Sequence, residues 1–172
     1  MGGGTHARAS AEFFVKMTEQ EILQIIEIDQ LNMSKFFSDS GKVFDVELRK
    51  TGIEKEVDKG AVFLLVKENQ RVIGYVEYLE RKKKKVTIKS VQIHPSKSNG
   101  FTLRKFIKGI YPKFKGSYEE HQIISAAHTN NRKSISLHER FGFVVLEIEN
   151  DMLTYGCKGI EFIKKLEKLI TK

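Results

Sequence analysis

Residues 130–143 read "NNRKSISLHERFGF". A helix starting near Asn131 places Ser134, Leu137, His138 and Phe141 on one side and Arg132, Ser136, Glu139 and Arg140 on the other, because side chains three and four apart share a helical face. The aromatic-Gly-aromatic corner then turns the chain. His138 faces inward on this spacing. It is either a hydrogen-bonded core residue or part of an active site, and the stretch alone leaves both open.

Working outward, "QIISAAH" before it reads as a short strand, and "FVVLEIE" and "DMLTYGC" after it read as two strands about a tight "ND" turn. The ending "KGIEFIKKLEKLITK" repeats apolar residues at Ile160, Ile163, Leu166, Leu169 and Ile170, an amphipathic helix whose stripe closes the domain or pairs with a second copy. A homodimer is therefore among the expected partners.

Toward the amino end, "FTLRKFIKGIYPKFKG" carries Leu103, Phe106, Ile107 and Ile110 at helical spacing, with continuity past Tyr111 in question because Pro112 lacks an amide donor. Three runs rich in Val, Ile, Tyr and Phe precede it: "AVFLLVK", "RVIGYVEYLE" and "KVTIKSVQIHP", read as consecutive antiparallel strands. The lysines of the second turn, "RKKKK", read as a solvated hairpin tip. Before these, Thr18 and Glu21 form a capping-box pattern and Ile22, Leu23, Ile25 and Ile26 a stripe, for a helix to about Phe36. "VFDVELRKTGIEKEVDKG" gives a second, more polar helix. The opening "MGGGTHARAS" lacks periodicity and is set aside as a tail covering residues 1–10, with residues 11–172 as a single domain. The order helix, helix, three strands, helix, strand, helix, two strands, helix predicts a mixed α/β layer structure.

The chain has 172 residues, enough for one sizeable core. Its one cysteine, Cys157, cannot form an internal disulfide, and no apolar run reaches transmembrane length, so a cytoplasmic protein without a membrane partner is expected. A formal net charge of +8 favours anionic partners, among them a phosphate-bearing cofactor. No recurring metal-ligand spacing, Walker-type loop or Gly-x-Ser-x-Gly elbow is present. "VQIHPSKSNGFTLRKF", residues 91–106, leads from a strand through a polar loop into a helix. There, free backbone amides and the helix dipole hold phosphate oxygens, with Gly100 permitting close approach and Lys97, Arg104 and Lys105 adding charge. The alternative is an ordinary strand-to-helix loop.

Together these stretches resemble the GNAT family of N-acetyltransferases over roughly residues 12–156. Asn131, Ser134, Leu137, Glu139, Gly142 and Phe143 occupy the places of the family's Asn, small residue, apolar residue, Glu and closing Gly-Phe. "VIGYVEY" is similar to its third strand, "VQIHP" to the end of its fourth and "IISAAH" to its fifth. The resemblance implies an α/β fold: a central, mostly antiparallel sheet, flanked by helices, whose parallel fourth and fifth strands splay apart around acetyl-CoA. It assigns pantetheine binding to Gln92 and Ile93, pyrophosphate binding to the loop Lys97, Ser98, Asn99, Gly100, Phe101 and Thr102, and further cofactor contacts to Asn131 and Ser134. The loop departs from the family pattern: it starts one residue early after the proline and ends in Thr102 instead of a small residue.

The implied reaction is direct acetyl transfer from acetyl-CoA to a primary amine of a small-molecule or peptide acceptor. Lys89 stands where many relatives carry a glutamate base, and His138 where they carry a tyrosine acid. Catalytic candidates are therefore His138 as proton donor, with Glu77 or His128 as base. Tyr75, Tyr78, Tyr118 and Tyr155 are candidates for an acceptor pocket. The competing expectations are a binding module of the same fold without turnover and, less favoured, a basic nucleic-acid-binding domain, which would need an aromatic platform that the chain lacks.

Overall fold

A computed structural model describes residues 10–14 and 17–171. Helix α1, Glu19–Asp39, begins at the expected capping box: the Thr18 hydroxyl accepts the Glu21 amide, and the Glu21 carboxylate accepts the Thr18 amide. Two of the amides that every helix start leaves without an intrahelical acceptor are thereby satisfied. Helix α2, Val46–Asp58, is capped in turn by the Asp45 side chain. The strands are β1 Ser10–Phe14, β2 Val62–Glu68, β3 Arg71–Arg81, β4 Lys85–Ile93, β5 Gln122–His128, β6 Val144–Glu149 and β7 Met152–Lys158. The remaining helices are α3 Gly100–Ser117, α4 Arg132–Arg140 and α5 Gly159–Ile170.

The hydrogen-bonded strand order is β1-β2-β3-β4-β5-β7-β6. β1 pairs antiparallel with β2 from Ser10 against Lys67 to Phe14 against Phe63. This strand corrects the expectation that the ordered chain opens with a helix. Of the anticipated tail, residues 1–9 lie outside the described residues, and Ser10 already belongs to β1. The β2–β3 and β6–β7 hairpins turn on two residues, Asn69–Gln70 and Asn150–Asp151, and the β3–β4 hairpin on three, Lys82–Lys84, with Asn69, Gln70, Lys83, Lys84, Asn150 and Asp151 in the left-handed region. That conformation matches the right-handed twist of the strands it joins. Among the described residues no helix is long and apolar enough to cross a membrane.

The chain divides into two compact units. The first holds the described residues up to Val76 together with Val91–Phe106. Its core is built by Ile25, Ile26 and Ile28 of α1, Ile53 of α2 and the run Phe63, Leu64, Leu65 and Val66 of β2, all buried. Four consecutive buried residues on one strand mean that both faces of β2 are covered. Asp29 of α1, Arg49 of α2 and Tyr75 of β3 close a polar triangle inside this unit. Arg49 Nε donates to Asp29 at 2.6 Å, Arg49 Nη2 to the Tyr75 hydroxyl at 3.2 Å, and that hydroxyl to Asp29 at 2.5 Å. Burial pushes the Asp29 carboxyl up, against the pull of Arg49 and Tyr75. Tyr75 is thus a fully buried linker of three elements.

The second unit holds Glu77–Ser90 and Ile107–Lys172. Here an aromatic cluster joins Tyr78 of β3, Phe114 of α3, Tyr118 just past α3, Phe141 and Phe143 around the α4 corner and Phe162 of α5, through ring centroids 5.0–6.2 Å apart. The α5 stripe therefore closes its own unit, with Phe162, Ile163 and Leu166 buried and Ile160 exposed. Helix α3 continues through Pro112 to Ser117, which answers the question raised at Tyr111. Pro112 lies on the exposed side, so its missing amide costs one helical hydrogen bond without burying an unsatisfied group. Gly159 is required where α5 begins. Its amide donates to the His121 carbonyl at 2.7 Å, and a Cβ there would lie 1.9 Å from the Tyr118 carbonyl oxygen.

Gly74 and Gly52 give a paired test of the first unit. A Cβ on Gly74 would sit 2.4 Å from Phe106 Cζ and 2.7 Å from the Gln92 carbonyl oxygen, whereas one on Gly52, inside α2, meets nothing within 4 Å. In chemical denaturation, Gly74→Ala is expected to lose about 1–3 kcal/mol by overpacking. Gly52→Ala is expected to gain about 0.5–1 kcal/mol from restricted backbone freedom in the unfolded chain. Equal effects at the two positions would refute this reading of the packing.

Candidate active site

In the first unit the expected phosphate loop is largely closed on itself. The Ser96 amide donates to His94 Nδ1 at 3.2 Å, the Lys97 amide to the His94 carbonyl at 2.8 Å, the Ser98 amide to the Pro95 carbonyl at 3.3 Å and the Asn99 amide to the Lys97 carbonyl at 2.9 Å. Asn99 then caps α3, its Oδ1 accepting from the Thr102 amide at 2.9 Å and from the Thr102 hydroxyl at 3.2 Å. Thr102 is buried, 3% exposed, with its polar atoms turned to Asn99. The amides of Gly100 and Phe101, in the first turn of α3, precede any intrahelical acceptor and are the natural anion donors of this loop.

Charge around the loop is already partly compensated. The Lys97 ammonium pairs with the Glu68 carboxylate of β2 and holds that carboxyl below its usual range. Lys105 Nζ sits 4.3 Å from the centroid of the exposed Phe101 ring, a cation-π arrangement. At the end of β4, Asn32 of α1 donates from Nδ2 to Gln92 Oε1 at 2.9 Å and to the Ile93 carbonyl at 3.0 Å. Asn32 is a residue the sequence reading missed, since nothing in a polar helix position announces a partner 60 residues away.

In the second unit the parallel β4–β5 register consists of Lys85 with Gln122, Val86 with Ile123 and Thr87 with Ile124. β5 pairs with β7 over all seven residues, from Gln122 with Lys158 to His128 with Met152. The fourth and fifth strands therefore part after Thr87 and Ile124. Glu77 of β3 is 3% exposed, and its Oε1 lies 3.9 Å from Nζ of Lys89 on β4. Strand parity could not assign a face to Glu77; the structure turns it inward, beside Lys89. His128 ends β5, its Nδ1 accepting the Asn130 amide at 3.2 Å and its carbonyl accepting the Asn131 amide at 2.8 Å, which shapes the entry to α4. Asn131 caps that helix through the Ser134 amide.

His138 is 9% exposed and hydrogen-bonded at both ring nitrogens. Nδ1 lies 2.7 Å from the Ser134 carbonyl oxygen, and Nε2 lies 2.9 Å from Ser125 Oγ of β5. The ring stacks on Tyr155 of β7, with centroids 4.3 Å apart and planes at 14°, and meets Phe143 edge-on at 5.3 Å. Burial holds the imidazole below its ordinary value, opposed by the Ser134 carbonyl. Ser125 is the second residue the sequence reading missed. The signal was there in "QIISAAH": Ile123, Ser125 and Ala127 share the buried face of β5, and a serine between two apolar neighbours on that face calls for a polar partner. Tyr78, Tyr118 and Tyr155, taken as pocket candidates, are core residues 1%, 4% and 1% exposed.

Solved structures with the same fold include an acetyltransferase from Thermus thermophilus, 14% identical, covering 86% of this chain and 96% of its own, at a TM-score of 0.67. The PaiA N-acetyltransferase from Thermoplasma acidophilum, in complex with coenzyme A, is 14% identical and covers 87% of this chain and 99% of its own, at 0.65. The N-acetyltransferase PseH from Campylobacter jejuni, in complex with acetyl-coenzyme A, is 14% identical and covers 88% and 99%, at 0.57. Identities this low establish the fold alone. No curated protein matches the sequence. The family model described as the acetyltransferase (GNAT) domain matches residues 15–162, most of the chain, and with the parting of β4 and β5 it establishes that this protein belongs to the GNAT acetyltransferase family.

Proposed function

We propose that this protein is a cytoplasmic enzyme that transfers an acetyl group from acetyl-CoA directly to the primary amine of a small-molecule or peptide acceptor. The observation that carries the reading is the early end of the β4–β5 ladder within a chain of this family. Strands that separate leave main-chain donors and acceptors that must be satisfied, and an extended amide-bearing arm such as pantetheine satisfies them. PaiA and PseH, which share the fold, bind coenzyme A and acetyl-coenzyme A respectively.

In this reading the amides of Gly100 and Phe101 bind the pyrophosphate, with Lys97 and Lys105 supplying charge. The Lys97–Glu68 pair must loosen for Lys97 to contribute. Gln92 and Ile93 serve the pantetheine arm once Asn32 yields to it. Ser98, Asn99 and Thr102 shape the loop, and Asn131 and Ser134 shape the start of α4. Glu77, with the Lys89 ammonium 3.9 Å away, takes the proton that an incoming ammonium must lose before its lone pair attacks. His128 supports the turn into α4. His138 supplies the proton that the departing thiolate needs. A second copy of the chain would have to dock elsewhere than on the α5 stripe, and in the second unit the exposed Val144, Leu146 and Ile148 of β6 offer an apolar edge.

Calorimetric titration with acetyl-CoA at moderate salt is expected to show saturable one-site binding in the micromolar range. Lys97→Ala should weaken it severalfold, and Glu68→Gln, which releases the Lys97 ammonium, should strengthen it. Thiol release on addition of amines would then identify the acceptor class. Absence of binding up to millimolar cofactor would overturn the proposal. A steep fall of nucleic-acid affinity with salt, in place of cofactor binding, would favour the basic nucleic-acid-binding alternative.

A further inference from the structure

His138 stands where a proton donor is expected, yet its hydrogen bonds leave it nothing to donate at rest. The Ser134 carbonyl oxygen only accepts, so the ring proton is on Nδ1. A neutral ring then carries its lone pair on Nε2, and the hydroxyl of Ser125 donates to it across 2.9 Å. The environment favours this neutral form. Around the ring stand Ser125 from β5, Tyr155 from β7, Phe143 from the corner and Ser134 from its own helix, while the charged neighbours Glu139 and Arg140 are exposed. Burial and Glu139 push the Tyr155 phenol up, so it stays protonated and adds no charge to the stack. A donor in this position must therefore be loaded with a proton during the reaction, and Nε2, reached through Ser125, is where it would be loaded.

Ser125 has a second property. The β4–β5 ladder ends at Thr87 with Ile124, so Ser125 is the first residue of β5 past the fork. The hydroxyl bonded to His138 thus belongs to the residue at the vertex of the strand opening.

We propose that Ser125 and His138 form a two-proton relay in which the imidazole acts first as base and then as acid, always through the serine hydroxyl. The proposal rests on the acetyltransferase reading above. After the neutral amine has added to the thioester carbonyl, its nitrogen is cationic and must lose a proton. That proton passes to Ser125 Oγ as the Oγ proton passes to Nε2. The C–S bond breaks with its electron pair going to sulfur, giving a thiolate and an imidazolium held by the Ser134 carbonyl. The Nε2 proton then returns to Oγ as the Oγ proton passes to sulfur, which leaves amide, thiol and neutral His138. One proton has moved from nitrogen to sulfur, and serine and histidine are restored. Glu77 handles only the earlier proton of the ammonium, so the lysine at position 89 deprives the reaction of nothing that the relay does not supply.

The test is steady-state acetyl transfer by the full chain across pH about 5 to 9, with thiol release as readout and the best amine found in the screen. The base form of His138 is lost as pH falls through its folded pKa. With that pKa held low, kcat should persist below the ordinary imidazole value of about 6.5 before it declines. His138→Gln keeps hydrogen-bonding capacity but cannot titrate. It is expected to lower kcat about 10²-fold or more and to abolish the acid limb. Ser125→Ala should lower kcat similarly with the KM for acetyl-CoA unchanged, and Ser125→Thr should restore most of it. Wild-type kcat in mixed light and heavy water should show curvature from two protons in flight, a readout independent of whether any variant folds. A linear dependence, an acid limb retained in His138→Gln or wild-type kcat in Ser125→Ala would overturn the relay and leave the acetyltransferase standing. No thiol release by the wild-type protein with any amine would overturn both.

Discussion

β5 is hydrogen-bonded to β7 along all seven of its residues but to β4 along only three, and the asymmetry organises the second unit. One edge of β5 is fixed for its full length, which sets the direction of every side chain on the strand. The other edge is released after Ile124. In a parallel pair such a release leaves backbone groups without ladder partners, to be satisfied by side chains, as Asn32 does for the Ile93 carbonyl, or by solvent. Ser125 is both on the fixed strand and at the start of the free edge. The side chain that meets His138 therefore sits on the first residue of β5 beyond its pairing with β4.

His138 reconciles the two readings open at the outset. It fills a core, stacked on Tyr155 and edge-on to Phe143, and it is chemically equipped, with each ring nitrogen given a defined partner. Enclosure in an aromatic shell is what keeps the imidazole neutral at rest, with Nε2 facing the Ser125 hydroxyl. The carbonyl of Ser134 fixes the tautomer, because it can only accept the Nδ1 proton. Glu77 is likewise turned into the interior, 3.9 Å from the ammonium of Lys89.

The first unit contributes a loop with fewer amides to offer than its length suggests. Four successive amides, from Ser96 to Asn99, are spent on the turn itself, and Asn99 spends that of Thr102 on the helix cap. The residual donors are concentrated at Gly100 and Phe101, where α3 begins and its dipole is positive. The positive charge that would assist them is shared with Glu68. Lys97 is thus held by a carboxylate, while the amides of Gly100 and Phe101 precede any intrahelical acceptor.

Much of this architecture was legible from local patterns. The capping box at Thr18, the Val-, Ile-, Tyr- and Phe-rich runs of β2 to β4, the strand "QIISAAH" and the amphipathic α4 and α5 were all readable, since each depends on neighbours a few residues away. β1 was not, because a five-residue strand beside a Gly-rich opening is made by its partner β2 and not by its own periodicity. Pro112 misled for a related reason: the rest of α3 packs well enough to absorb one missing hydrogen bond. At the candidate site, the inward face of His138 was set by sequence spacing alone. That Ser125 is its partner, that Asn32 reaches Gln92 and Ile93, and that Glu77 turns inward beside Lys89 were decided only in three dimensions. These pairs are 13, 60 and 61, and 12 positions apart along the chain, and periodicity says which way a side chain points but not what it will meet.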